Sequence, residues 1–256
     1  MDQVEQAKRQ AAIEAIGFVP APSEIPKRLI ASIEGLEKSG KTHFAMTAPE
    51  PIMFFSMDIG TEGVVEKFKK AGKEIYIYEI RIPKTKVKAD MTPILVDIKG
   101  KVASCLAIGQ GTVVFDTGTE FWEIMRLARL GKLTQVMPHQ YTEVNQEFRD
   151  IIKDCYDSGM NVIFLHKLKD LYENNVRTNK KTLSGFGGMG YEMQINIRLS
   201  RENGVDGAPP TFRALIKDCR HNPNLSGAYA PVNDFTFLVN LVHATSDPER
   251  SVVQLK

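Results

Sequence analysis

With 256 residues, 43% hydrophobic content and a formal net charge of +2, the chain can bury the core of one large domain or of two small ones. So balanced a charge makes no case for nucleic acid by itself, and any basic surface must be local. Cys105, Cys155 and Cys219 stand far apart and form no CxxC pair, which excludes a disulfide framework and a structural zinc site; with no signal-peptide pattern, a reducing cytoplasm is expected. Apolar runs such as Pro51-Ile52-Met53-Phe54-Phe55 are too short to span a bilayer, so no membrane partner is expected.

Residues 2–16 predict a polar helix with Val4, Ala7, Ala11, Ile13 and Ile16 as apolar contacts. Gly17 ends it, and Pro20, Pro22 and Pro26 keep the next segment extended. Residues 1–25 therefore read as an arm ahead of a core, 26–256, that carries a C-terminal extension. A strand is predicted over Lys27–Glu34 and a helix running through Ala45 and Met46 that stops before Pro49. Between them Gly35-Leu36-Glu37-Lys38-Ser39-Gly40-Lys41-Thr42 fits the P-loop pattern of Gly, four residues, Gly, Lys and Ser/Thr. Glycines let the backbone wrap an anion closely, successive N–H groups point at phosphate oxygens, and the helix start adds positive potential. Lys41 would reach the β- and γ-phosphates and the Thr42 hydroxyl would hold Mg²⁺. Gly35 to Thr42, with His43, are thus the cofactor-binding residues, and the expected cofactors are ATP and Mg²⁺.

Pro51 to Asp58 reads as a buried parallel strand, and a helix runs to about Lys70 after Gly60-Thr61-Glu62-Gly63. Glu74–Ile80 alternates as a strand, the Lys- and Arg-rich residues 81–90 read as a solvated loop, and 93–108 has helical spacing. Thr112-Val113-Val114-Phe115-Asp116-Thr117 is an apolar strand ending in Asp, the Walker B arrangement, which sets Asp116 beside the Mg²⁺ through a water. Helices follow over 119–130, carrying Trp122, and over 142–157. Met160–Lys167 is a further buried strand. Lys169–Met189 is expected to be long and irregular, and Gln194–Ser200 and Thr211–Lys217 read as strands. Strands alternating with helices predict an α/β fold, a mostly parallel doubly wound sheet with an antiparallel extension.

From residue 27 to about 222 this order resembles the RecA-type P-loop NTPase core. The features that carry the likeness are Asp116 at a strand tip, a glycine-containing first loop at Leu130–Tyr141, and the strand Val162–Leu165 ending at His166. A Gly-rich second loop with Gly185-Phe186-Gly187-Gly188 then leads to Ile195-Asn196-Ile197-Arg198-Leu199. In size the chain is similar to phage-encoded RecA-like single-strand annealing proteins of the Sak type. The resemblance implies an ATPase cleaving the β–γ bond, single-stranded DNA as partner, and self-association into a ring or filament with ATP at the subunit interface. A single-strand-binding protein is a further partner it allows, in a host cytoplasm if phage-encoded. It further implies His166 as sensor, Lys217 and Arg220 reaching the next subunit's ATP, and DNA contacts from Lys169, Arg177, Lys180, Lys181 and Phe186, with Tyr191 as an alternative stacking ring. Lys167 is another phosphate contact it allows. Phe18-Val19-Pro20-Ala21 matches the FxxA pattern by which strand-exchange recombinases dock on a neighbour. The position after Asp116 is Thr117, where AAA+ proteins carry Glu, so the carboxylate that polarises water is Glu62 or Asp58, with the choice open.

On these grounds the expected function is ATP-dependent DNA recombination by annealing or strand exchange on single strands. A ring-forming helicase or loader motor on the same core, and a regulatory protein that nucleotide merely switches, are the alternatives.

Overall fold

In the computed structural model, residues 3–20, 27–58, 61–85, 89–131, 137–174, 176–204, 208–230 and 234–244 are described. An N-terminal helix, α1 (Gln3–Ala15), precedes the core. The core then runs β1 (Ile30–Gly35), α2 (Lys41–Ala45), β2 (Ile52–Ser56), α3 (Val65–Lys70), β3 (Ile75–Glu79), α4 (Thr92–Leu106), β4 (Thr112–Asp116) and α5 (Gly118–Leu130). It continues with α6 (Tyr141–Asp157), β5 (Asn161–His166), β6 (Leu168–Glu173), β7 (Val176–Leu183), α7 (Met189–Glu192), β8 (Ile195–Glu202), β9 (Thr211–Cys219), β10 (Tyr229–Ala230) and α8 (Phe235–Ala244).

Eight strands form one sheet in the order β10-β9-β8-β1-β5-β4-β2-β3. All pairings from β8 to β3 are parallel, and β9 and β10 add the antiparallel extension. This is the expected fold class, a RecA-like P-loop α/β sheet. Parallel strands covered on both faces are mostly apolar, and β1, β2, β4 and β5 are buried along their whole length, with most of their polar residues at or near the strand ends. One face carries Ala31, Ile33, Phe54 and Leu165 against Phe44 of α2 and Phe235 and Leu238 of α8. The other is filled by aromatic rings. Phe115 stacks on Phe55, Phe121 and Phe164 with centroids 5.2, 5.2 and 4.7 Å apart, under α4, α5 and α6.

The structure departs from the sequence-based expectation in three places. Leu168–Leu183 is a two-stranded antiparallel hairpin, β6–β7, where an irregular loop is expected. Val4, Ile13 and Ile16 of α1 and its exit are exposed rather than packed. Phe18 and Val19 are exposed too, while Ala21 of the FxxA match lies outside the described residues, as do 86–88 of the basic loop and 132–136 of the first glycine loop. Finally α8, an apolar helix that the sequence pattern does not announce, closes one face, with the Phe235 N–H donating to Thr47 Oγ1 at 2.8 Å. Among the described residues no helix is long and apolar enough to cross a membrane.

Candidate active site

The P-loop leaves the end of β1 and enters α2 through two positive-φ positions, Lys38 at 58° and Gly40 at 90°. Gly40 meets that demand without a Cβ penalty. Gly35 is fixed by space: a Cβ there would lie 2.5 Å from Ser39 Oγ and 2.7 Å from the Leu199 carbonyl oxygen. Leu36, Glu37 and Lys38 are exposed, and Ser39 is buried. His43 is exposed, with its ring edge-on to Phe68 at 4.9 Å. Lys41 Nζ donates to the carbonyls of Gly35 at 2.9 Å and Leu36 at 2.8 Å, which holds the ammonium over the loop.

Sheet order brings the second half of the site to the first. With β5 between β1 and β4, Asp116 reaches the start of α2, and the Thr42 hydroxyl donates to Asp116 Oδ2 at 2.8 Å. Burial pushes the Asp116 carboxyl above its ordinary value, and the bond from Thr42 works against that shift. Burial also pulls the Lys41 ammonium down, opposed by Asp116. A positive-φ cradle, a lysine at its mouth, and a hydroxyl beside a buried carboxylate are the donor set that a triphosphate with its magnesium requires. The residues present fit that group.

The other predicted residues are distributed as follows. Asp58 follows the β2 tip, ion-paired with Lys167 Nζ at 2.9 Å, and acts electrostatically on both Lys41 and Asp116. Glu62 is exposed in the turn before α3. His166 ends β5 fully buried; neither ring nitrogen makes a well-aligned hydrogen bond among the described residues, and the Ser184 backbone is near enough to act on the ring. Burial lowers its pKa to about 3, so the ring is neutral, and it packs on Gly118, where a Cβ would sit 2.7 Å from His166 Cε1.

Lys217 is bound within its own chain to Glu34 Oε1 at 2.9 Å, and Arg220 lies at the opposite end of the strands from the P-loop, beyond the Cys219–Ile195 pairing, donating to the Tyr191 carbonyl. Neither reaches the Lys41 pocket of its own chain. On the hairpin, Asp170 neutralises Arg177 (2.8 Å) and Lys181, whereas Lys169 and Lys180 are exposed and make no ion pair among the described residues. Phe186 is the clear correction. It is 1% exposed and packs on Phe148 at 5.3 Å, so its ring is core and offers no face to a base; Tyr191, 84% exposed, does.

Three residues that no sequence motif marks organise this region. Glu34, with its side chain 3% exposed, accepts from Arg198 Nε at 2.7 Å as well as from Lys217. Arg198 Nη2 donates onward to the Lys181 carbonyl at 3.2 Å, tying the P-loop strand to the hairpin. Thr119, three residues past Asp116, holds both ends of the hairpin: its hydroxyl accepts from the Lys167 N–H at 3.0 Å and donates to the Ser184 carbonyl at 2.8 Å. The one signal for them in the sequence is an acid, Glu34, closing an otherwise apolar strand.

A P-loop at the tip of β1 and a buried carboxylate two strands away, bonded to the threonine of that loop, give the arrangement of a P-loop ATPase on a RecA-like sheet. The family model for an AAA domain, AAA_24, matches residues 27–194, and the chain belongs to that family. Among solved structures it is similar to the KaiC-like protein PH0186 from the hyperthermophilic archaeon Pyrococcus horikoshii OT3, at 16% identity and TM-score 0.44, covering 80% of this chain and 87% of that one. It is also similar to the RadB recombinase, at 13% identity and TM-score 0.46, covering 88% and 94%. No curated protein matches the chain in sequence.

Proposed function

We propose that this ATPase is a phage-type DNA-recombination protein that binds single-stranded DNA through the β6–β7 hairpin and promotes annealing or strand exchange. The observation that supports this reading is the attachment of the hairpin. It grows directly from the sensor strand, its root is clasped by Thr119, and Lys167 at its base pairs with Asp58 at 2.9 Å and Glu120 at 3.4 Å. A basic arm so fastened shares its position with the groups that surround a triphosphate.

In this reading Gly35 to His43 cradle ATP, and Lys41 turns from its own carbonyls to the β- and γ-phosphates. Thr42 and Asp116 hold Mg²⁺, which supplies charge neutralisation on the phosphate oxygens. Both candidate carboxylates are exposed, and Asp58 is the better placed to polarise water because it lies near enough to Lys41 and Asp116 to act on both and is held by Lys167 at 2.9 Å. Lys217 and Arg220 belong to a neighbouring subunit's site; Lys217 would exchange Glu34 for a phosphate on assembly. Lys169 and Lys180 contact DNA phosphates, while Tyr191, beside Arg220 at the start of β8, lies at the other end of the sheet from the hairpin's root.

The test is ATP turnover with and without oligo(dT), scored beside oligomer size. Mg²⁺-dependent turnover raised by DNA, abolished in Lys41→Ala and partly restored by mixing Lys41→Ala with Lys217→Ala/Arg220→Ala protein is the expected result. Turnover that ignores DNA, with no DNA bound at low salt, would refute the recombination reading and leave a plain ATPase.

A further inference from the structure

A cleft of about 760 Å³ opens between the outer side of the P-loop, the hairpin and the far ends of β8 and β9. Its walls carry the cations Lys38, Lys180, Lys181, Arg198, Arg201 and Lys217 and a single acid, the exposed Glu37. These cations are not equivalent. Arg198 and Lys217 are held by Glu34, and Lys181 is held by Asp170. Lys38, Lys180 and Arg201 are exposed and make no ion pair among the described residues. They come from three separate elements, the P-loop, β7 and β8, so they converge on the cleft from different sides. Between them lie Leu36, Leu168 and Leu171 and the amides of Asn179 and Asn203, over a floor that includes the buried Leu199. Unspent cations from three directions around a strip of leucines and amides suit a ligand with repeated negative charge and flat apolar faces. A folded acidic protein surface offers the charge without the flat faces.

We infer that this cleft is the track of the nucleic acid itself: a phosphodiester strand runs between hairpin and P-loop, with phosphates on Lys38, Lys180 and Arg201 and a base against the leucines. This rests on the single-strand-binding reading above and deepens it, because it lays the strand on the outer side of the loop that holds ATP. Lys38 then belongs to both ligands, one through its backbone and one through its ammonium.

The experiment measures binding of fluorescently labelled oligo(dT) as a function of salt for the unaltered protein, Lys180→Gln/Arg201→Gln and Lys169→Gln, with binding of a fluorescent ATP analogue as control. Lys169 is an exposed hairpin cation that does not line the cleft. Removing one cation from a phosphate of a single strand lowers the slope of log K against log salt by about 0.7, so the double variant should fall by about 1.4 in slope with ATP-analogue affinity unchanged. An unchanged slope in the double variant, or a fall confined to Lys169→Gln, would move the strand off the cleft and overturn the inference while single-strand binding stands. Failure of the unaltered protein to bind oligo(dT) at low salt would overturn both.

Discussion

Glu34 offers the sharpest physical test, because its carboxylate is 3% exposed while its two partners, Arg198 and Lys217, are 33% and 38% exposed. Arg198→Met would strip two donors, Nε and Nη2, from Glu34 Oε1 and leave Lys217 alone against a buried anion. At about 1.5–3 kcal/mol for a hydrogen bond to a charged group, the gross loss is about 3–6 kcal/mol. The guanidinium is only partly desolvated, which brings the expected cost down to about 3 kcal/mol. Glu34→Gln removes the anion instead. Both cations can then turn toward water, and the expected cost is about 2 kcal/mol. In the double variant no buried charge is stranded, so the cost should stay near 3 kcal/mol, about 2 kcal/mol below the sum of the singles. Urea unfolding, followed by the fluorescence of Trp122 and by far-UV circular dichroism, reads all four corners of the cycle. Costs that add within about 0.5 kcal/mol would show that Arg198 and Glu34 do not compensate one another, and the account of the P-loop strand tied to the hairpin would fail.

Three further outcomes are expected. Thr42→Val and Asp116→Asn should each raise the Mg²⁺ concentration needed for half-maximal turnover by about 10–100-fold, measured by metal titration at saturating ATP. Burial raises the Asp116 carboxyl, so its proton is retained to a higher pH than in the unfolded chain. As pH falls through that raised value, Mg²⁺–nucleotide affinity should drop, while this group's own contribution to folding stability rises; calorimetric titration and melting curves across the acid range separate the two. His166→Leu removes a fully buried imidazole whose polar neighbour is the Ser184 backbone, and should change stability by no more than about 1 kcal/mol in thermal melting. A loss of DNA-stimulated turnover in that variant, with stability intact, would mark the sensor role.

How much of this is legible in the sequence follows from where each constraint lives. The P-loop and the strand ending in Asp116 can be read because the chemistry demands particular residue types at adjacent positions, and buried parallel strands are mostly apolar between their ends. The hairpin is not legible because Val176-Arg177-Thr178-Asn179-Lys180-Lys181-Thr182-Leu183 lies on polar surroundings and shows no apolar alternation, and its partner strand is broken by a register shift between Asp170 and Tyr172. Phe186 misleads because a phenylalanine among glycines looks exposed, whereas its burial is decided by Phe148 on α6, far away in the chain. The Glu34–Arg198 pair spans 164 positions and exists only through the parallel register of β1 and β8.

The joint at Thr119 has an evolutionary consequence. Because Ser184 donates its N–H to the Lys167 carbonyl at 2.9 Å, the hairpin leaves the molecule and re-enters it at nearly one point. Lengthening, shortening or replacing the arm at such a neck need not disturb any strand of the main sheet. A lineage could therefore exchange the arm while keeping the main sheet, provided the replacement offers Arg198 a carbonyl as Lys181 does, and laboratory chimeras should be joined at Lys167 and Ser184.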